Sequence, residues 1–323
     1  MILRLNMTKL KSLLASGFFV FIFVHEVVGQ QDAQYTQYMY NTMTVNPGYA
    51  GSRGQLSLAA LYRSQWVGLD GAPETFTLNL HSPIRNSKLG YGISVVNDNI
   101  GDGVVSETYL DAMISYTIDV ALDAKLSFGL KVGGNLLSLD FNGLNNFDDE
   151  PIAGDNIDNR FSPNFGLGVY YHTNRFYAGL SAPNILETDY FDNSQRDANS
   201  VQFLSQERIN FYLITGYVFD LNSNLKFKPA LLTKVVGGAP LQLDLSASFL
   251  FNEKFSFGAA YRWDAAISGL LGFQITDQLM LGLAYDRETT DLGGTQFNDG
   301  SFEVFLRVEL VKSFQRLVSP RFF

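Results

Sequence analysis

The sequence predicts an all-β fold, a transmembrane outer-membrane β-barrel of about 14 antiparallel strands with short periplasmic turns and longer external loops. Two-residue alternation of apolar and polar side chains, an even number of alternating segments and a regular asymmetry in the connections carry that prediction. Side chains on a strand point alternately to its two faces, so alternation over five to ten residues marks a sheet with one greasy and one wet face.

Fourteen segments show the pattern, at Leu56–Arg63, Thr75–His81, Leu89–Val96, Thr108–Ile118, Lys125–Leu139, Asn164–His172, Phe176–Ser181, Asn210–Phe219, Leu225–Val235, Leu241–Phe251, Phe255–Trp263, Ile267–Ile275, Leu279–Asp286 and Phe302–Leu310. In Leu241–Phe249, Leu241, Leu243, Leu245, Ala247 and Phe249 oppose Gln242, Asp244, Ser246 and Ser248. Near the end, Phe302, Val304, Leu306, Val308 and Leu310 oppose Glu303, Phe305, Arg307 and Glu309. Even-to-odd links such as Thr173-Asn174, Asn222–Asn224, Asn252–Lys254 and Thr276–Gln278 are short and made of turn residues. Several odd-to-even links are long, namely Asp140–Pro163, Ala182–Ile209 and Arg287–Ser301, although Gly237–Pro240 is short. An outer-membrane barrel has this asymmetry, and its closure satisfies edge hydrogen bonds that lipid cannot. A soluble sandwich also alternates, but it could not bury Lys125, Lys131, Asp244, Arg262, Arg307 and Glu309 on its inner face without partners. Aromatics near segment ends, among them Tyr170, Tyr171, Phe176, Phe219, Phe251, Phe255, Tyr261, Trp263 and Tyr285, suit interfacial girdles.

The chain is predicted to divide into a signal peptide (1–29), an N-terminal segment facing the periplasm or the lumen (30–52), the barrel (53–311) and a periplasmic tail (312–323). Arg4, Lys9 and Lys11 precede the short apolar run Ser12–Val24, and Val27 and Gly29 offer a cleavage site. Of 23 basic and 32 acidic residues, the leader holds Arg4, Lys9, Lys11 and Glu26, so 20 and 31 remain, a net charge of −11. Such a balance gives no basic face for nucleic acid. With no Cys in the chain, thiolate metal sites, disulfides, a nucleophilic cysteine and a lipoprotein anchor are excluded. An even strand count starting inside puts both termini in the periplasm.

Several stretches then resemble one family in matching order. They are Gln37-Tyr38-Met39-Tyr40-Asn41, Val45-Asn46-Pro47-Gly48-Tyr49-Ala50-Gly51-Ser52, Arg63-Ser64-Gln65-Trp66-Val67-Gly68-Leu69-Asp70-Gly71-Ala72-Pro73, Ser94-Val95-Val96-Asn97-Asp98, Gly237-Gly238-Ala239-Pro240-Leu241-Gln242 and the ending Val318-Ser319-Pro320-Arg321-Phe322-Phe323. The chain resembles the PorP/SprF family, outer-membrane proteins of the Bacteroidota type IX secretion system. Gly48, where Pro or Ala is commoner, and Phe322, in place of Tyr, depart from its pattern. The resemblance implies a role in secreting, displaying or anchoring a surface adhesin of the gliding type that carries a C-terminal sorting domain. It also implies contact with type IX secretion components and periplasmic proteins, besides outer-membrane lipid. The alternative is a passive porin or solute channel.

Candidate partner-binding residues fall in two places. Arg63, Gln65, Trp66, Gly71 and Pro73 lie at the outer end of the first strand and in the loop after it. Aromatic and Arg anchors dominate many interfaces, while Gly and Pro equally explain a turn folded over the barrel mouth. Tyr38, Asn46, Pro47 and Tyr49 precede the first strand, where they could meet periplasmic partners, plug the lumen or lead the chain along its inner wall. The stretch Asp140–Pro163 is acidic, with Asp140, Asp148, Asp149, Glu150, Asp155 and Asp158 against Arg160. Its spacing does not reproduce a calcium loop, so a solvated surface loop is the expectation. No cofactor or metal site and no catalytic constellation is expected. His81 and Ser82 are adjacent on a strand and so face opposite sides, His172 stands beside a turn, and Gly90-Tyr91-Gly92 reads as strand with lumen-facing space-makers.

Overall fold

The computed structural model describes residues 33–140, 156–187, 208–295 and 298–310. Residues 1–32, where a signal peptide is expected, residues 311–323 and most of both the acidic loop and the link after the seventh strand lie outside the described residues. Fifteen hydrogen-bonded segments follow in order: β1 (Leu56–Ser64), β2 (Glu74–Pro83), β3 (Leu89–Ile100), β4 (Val105–Ala121), β5 (Ala124–Leu139), β6 (Ile157–His172), β7 (Phe176–Ala182), β8 (Asn210–Tyr217), β9 (Phe219–Asp220), β10 (Leu225–Val236), β11 (Gln242–Phe251), β12 (Phe255–Arg262), β13 (Ala266–Gln274), β14 (Leu279–Glu288) and β15 (Ser301–Leu310).

Every neighbouring pair is antiparallel, and the sheet closes where β1 meets β15 from Leu56↔Leu310 to Ser64↔Phe302. Segments β8 and β9 are one strand. The register is continuous from Ala230↔Gly216 to Phe227↔Phe219, and it carries Pro229 opposite Tyr217. Proline has no N–H to donate, so the ladder lapses there without a shift. The barrel therefore has 14 strands, as the alternation predicts.

The wall turns its apolar side chains outward. Ile93, Leu130, Val132, Leu180, Leu245, Ile267 and Leu271 are all exposed, while Ser57, Thr77, Ser94, Ser127, Ser246, Ser268 and Glu303 are buried inside. This is the inverse of a soluble protein and matches a wall facing lipid. Exposed aromatics gather toward the short-turn end (Tyr116, Phe128, Phe219, Phe251, Phe255, Phe273) and toward the opposite end (Tyr62, Phe76, Phe211, Trp263, Tyr285, Phe302). Tyr170, expected in a girdle, faces the interior instead.

The chief difference from expectation lies in β6. It begins at Ile157, so Asp158 and Arg160 stand on a strand rather than in the acidic loop. Residues 157–163 are exposed on both faces except Ser162, Ile157 being intermediate. Where both faces are wet, pairing persists without the alternation that would reveal it. A bulge between Leu137 and Leu139 and the left-handed Asn159 (φ 48°) re-register this end.

The buried core is not between layers but inside the barrel. Residues 33–55 enter the lumen and form a short helix α1 (Thr42–Val45) and a 3-10 turn (Pro47–Tyr49) before β1 begins. Tyr38, Met39, Met43, Val45, Tyr49 and Ala50 pack with Met113, Tyr170, Tyr177, Tyr212 and Ile214 from the wall.

Candidate functional site

The N-terminal segment touches strands all around the barrel. Asn46 is 0% exposed, and its amide works in two directions. Its Oδ1 accepts from the Gly48 N–H at 2.8 Å, which shapes the turn, and its Nδ2 donates to the Val169 carbonyl of β6 at 3.0 Å. Pro47 at the first turn position presets its φ. Ser181 of β7 donates to the Val45 carbonyl at 2.6 Å, and Ser115 of β4 donates to the Ala50 carbonyl at 2.7 Å. Tyr49 stands edge-on to both His81 and Tyr170 at 5.3 Å, and Tyr38 shares a hydrogen bond with Ser246 of β11 at 3.3 Å. Tyr40 stacks on Phe305 of β15 at 4.9 Å.

Glycines of the wall create the room. A Cβ on Gly129 would overlap the Gly48 nitrogen and Pro47 backbone, and one on Gly168 would overlap the Asn46 amide. On Gly90 it would stand 2.6 Å from the Ala50 oxygen, on Gly92 2.8 Å from the Met43 sulfur, and on Gly179 2.6 Å from the Asn46 nitrogen. These five positions on β3, β5, β6 and β7 form a recess fitted to residues 43–50. Gly90 and Gly92 are thus space-makers, as read from the sequence, and the space is taken by the chain's own N-terminal segment.

Charged residues hold both ends of the segment. Toward the long-loop end, Arg63 is 1% exposed, and its Nη1 donates at 2.6 Å to Asp286, at 2.6 Å to Glu303 and at 3.0 Å to Thr36. Glu303 also accepts the Gln37 N–H at 2.9 Å, and Arg262 is paired with Asp244 while reaching the Gln34 side chain. Toward the other end, Arg53 pairs with Glu309, which lies beside Arg307. Burial pushes the Tyr35 and Tyr38 phenols up, so both remain neutral donors or acceptors.

The loop after β1 laces the rim. Gln65 accepts from Arg63 Nε at 3.0 Å, and its N–H donates to the Pro73 carbonyl at 3.0 Å. Trp66 takes a left-handed backbone (φ 45°), and its indole N–H donates to Glu288 at 3.1 Å. Its backbone N–H donates to Ser301, and Val67 exchanges hydrogen bonds with Gly300 and Asp299. The Gly71 carbonyl (φ 71°) accepts from Gly101, and the two glycines approach so closely that a Cβ on Gly71 would stand 3.0 Å from Gly101 Cα. Links β1–β2, β3–β4 and β14–β15 are thereby joined, with Gly68, Leu69 and Asp70 exposed at the tip.

Of the residues nominated from sequence, Trp66 and Gly71 reach the rim. Gln65 is half-buried and Pro73 buried at its base. Arg63, Tyr38, Asn46, Pro47 and Tyr49 are buried inside, engaged with the barrel's own wall. Sequence reasoning missed Asp286 and Glu303 as partners of Arg63. The signal existed, since closure of an even-stranded barrel sets Arg63 directly opposite Glu303. The calcium question for the acidic loop falls mostly outside the described residues, and among the described residues no group of three or more potential metal ligands occurs. His81 accepts the Gly51 N–H at 3.1 Å.

A family model described as "Type IX secretion system membrane protein PorP/SprF" matches residues 27–308. No functionally curated protein matches the chain. Similar solved structures include CdiB from Acinetobacter baumannii (8% identity, TM-score 0.44, covering 79% of this chain and 60% of that one). They also include a Pseudomonas aeruginosa FadL homologue (13%, 0.41, 79% and 89%) and the NanC porin (11%, 0.40, 79% and 100%).

Proposed function

The chain belongs to the PorP/SprF family of type IX secretion system membrane proteins, and from that premise we propose that it binds a secreted surface adhesin at the long-loop end of the barrel and helps to secrete, display or anchor it. In this reading the long-loop end faces outward and both termini are periplasmic, where they meet other secretion components. The cargo is of the gliding type, with a C-terminal sorting domain, and the protein performs no chemistry of its own. The observation that carries the reading is the combination of family membership with a lumen filled by residues 35–50, which leaves the rim and outer surface as the places to bind. Trp66, Gly71 and the exposed Leu69 and Asp70 are the rim residues assigned to cargo, while Arg63, Tyr38, Asn46, Pro47 and Tyr49 hold the scaffold beneath them. A passive porin would need a continuous aqueous path in place of that filling.

Affinity purification from mildly solubilised outer membranes, followed by mass spectrometry, tests the reading. Recovery of a large surface protein with secretion components supports it, and recovery of the barrel alone counts against it. Trp66→Ala is expected to lower cargo recovery several-fold while the barrel still assembles. Unchanged recovery removes the loop from the cargo site.

A further inference from the structure

We infer that the N-terminal segment is a permanent closure, seated in its glycine recess throughout the secretion cycle, so that cargo passes over or beside this barrel and never through it. The inference goes beyond the reading above by assigning the route, and it rests on that reading only for the identity of the cargo. Three observations carry it. The recess is built for this one occupant, because Cβ atoms at Gly129, Gly168, Gly90 and Gly179 would each collide with residues 46–50. The segment is fastened at both ends by buried charge, through Thr36 and Gln37 on Glu303 and Arg53 on Glu309. Its fastenings lie on strands from opposite sides of the barrel, among them β4, β6, β7, β11 and β15. No rigid movement of one wall releases it, and withdrawal would take the Thr36 and Gln37 N–H donors from buried Glu303 and the Arg53 guanidinium from Glu309, a loss of charge-assisted bonds in the interior.

The geometry supplies its own lock. A Cβ on Gly92 would stand 3.5 Å from that of Ala50, within the span of a disulfide. The one atom nearer than that, the Met43 sulfur at 2.8 Å, ends a flexible side chain. Because the chain has no cysteine, Ala50→Cys/Gly92→Cys can form only this bridge within one molecule. In folded barrels from oxidised membranes the double variant is expected to shift in mobility, and the shift disappears with reductant. Cargo display is expected to stay within about twofold of wild type whether the bridge is closed or reduced. Failure of the folded barrel to crosslink overturns the inference, as does display that collapses when locked and returns on reduction.

Conductance gives an independent reading that needs no cargo. The wild-type barrel is expected to be silent in a planar bilayer, and Gly129→Leu, which evicts the turn, is expected to conduct. Stable wild-type conductance overturns the closure. Should Gly129→Leu fail to assemble, the crosslink still decides. Deleting the whole protein without effect on display would sink the cargo reading, yet leave crosslinking and conductance to judge the closure.

Discussion

Arg63 shows how much one side chain in the lumen can hold. It neutralises part of two carboxylates, bridges β1, β14 and β15, and meets Thr36 of the N-terminal segment. Removing one partner from a buried ion network costs about 3–5 kcal/mol, chiefly because it strands the remaining charges. Arg63→Met should therefore lower the heat-unfolding midpoint, followed as the shift from the folded to the unfolded band on gels. Adding Glu303→Gln and Asp286→Asn to it should recover much of the loss. Tyr35 and Tyr38 act at the same scale. Their phenols are held above the ordinary value near 10 by burial. A raised pKa means that their stabilising contribution is complete below pH 10 and declines as pH rises beyond it, because only the unfolded chain ionises there. Stability measured from pH 9 to 12 should fall, and Tyr35→Phe/Tyr38→Phe should flatten that fall. An equal slope in both proteins would show that other groups control it.

At the scale of the element, strand boundaries follow how each segment meets lipid and water. Segments with one face in lipid were legible from alternation, and β11, β13 and β15 begin and end within a residue of their expected limits. The first part of β6 was not, since water on both sides removes the contrast that alternation reports. The recess was half legible: alternation set Gly90 and Gly92 inward, but only the folded chain shows that residues 43–50 occupy the room. Pro229 makes the matching point about hydrogen bonds. It sits in β10 opposite Tyr217 and interrupts the ladder to β8 without changing register. Pro229→Val returns an N–H to the ladder, a net gain of about 1 kcal/mol, and should raise the unfolding midpoint slightly. A lowered midpoint would mean that the break in the ladder at Val218, whose N–H donates to the Arg175 carbonyl, depends on the proline.

For the whole molecule, the N-terminal segment couples parts of the wall that strand pairing connects only through neighbours. It binds β4, β6 and β7 on one side and β11 and β15 on another, and it also fastens the last strand beside the closing seam. A hollow barrel would lose these cross-links and would leave Glu303 and Glu309 facing an open lumen. Each hydrogen bond contributes about 1 kcal/mol, and those to charged groups more. Deleting residues 33–50 should thus lower the unfolding midpoint by on the order of ten degrees and broaden the transition as the strands lose their shared brace. The same deletion should admit large antibiotics that wild-type cells exclude. If the deleted barrel unfolded as sharply and at the same temperature as the intact one, the segment would be a passenger in the lumen and the wall alone would account for the fold.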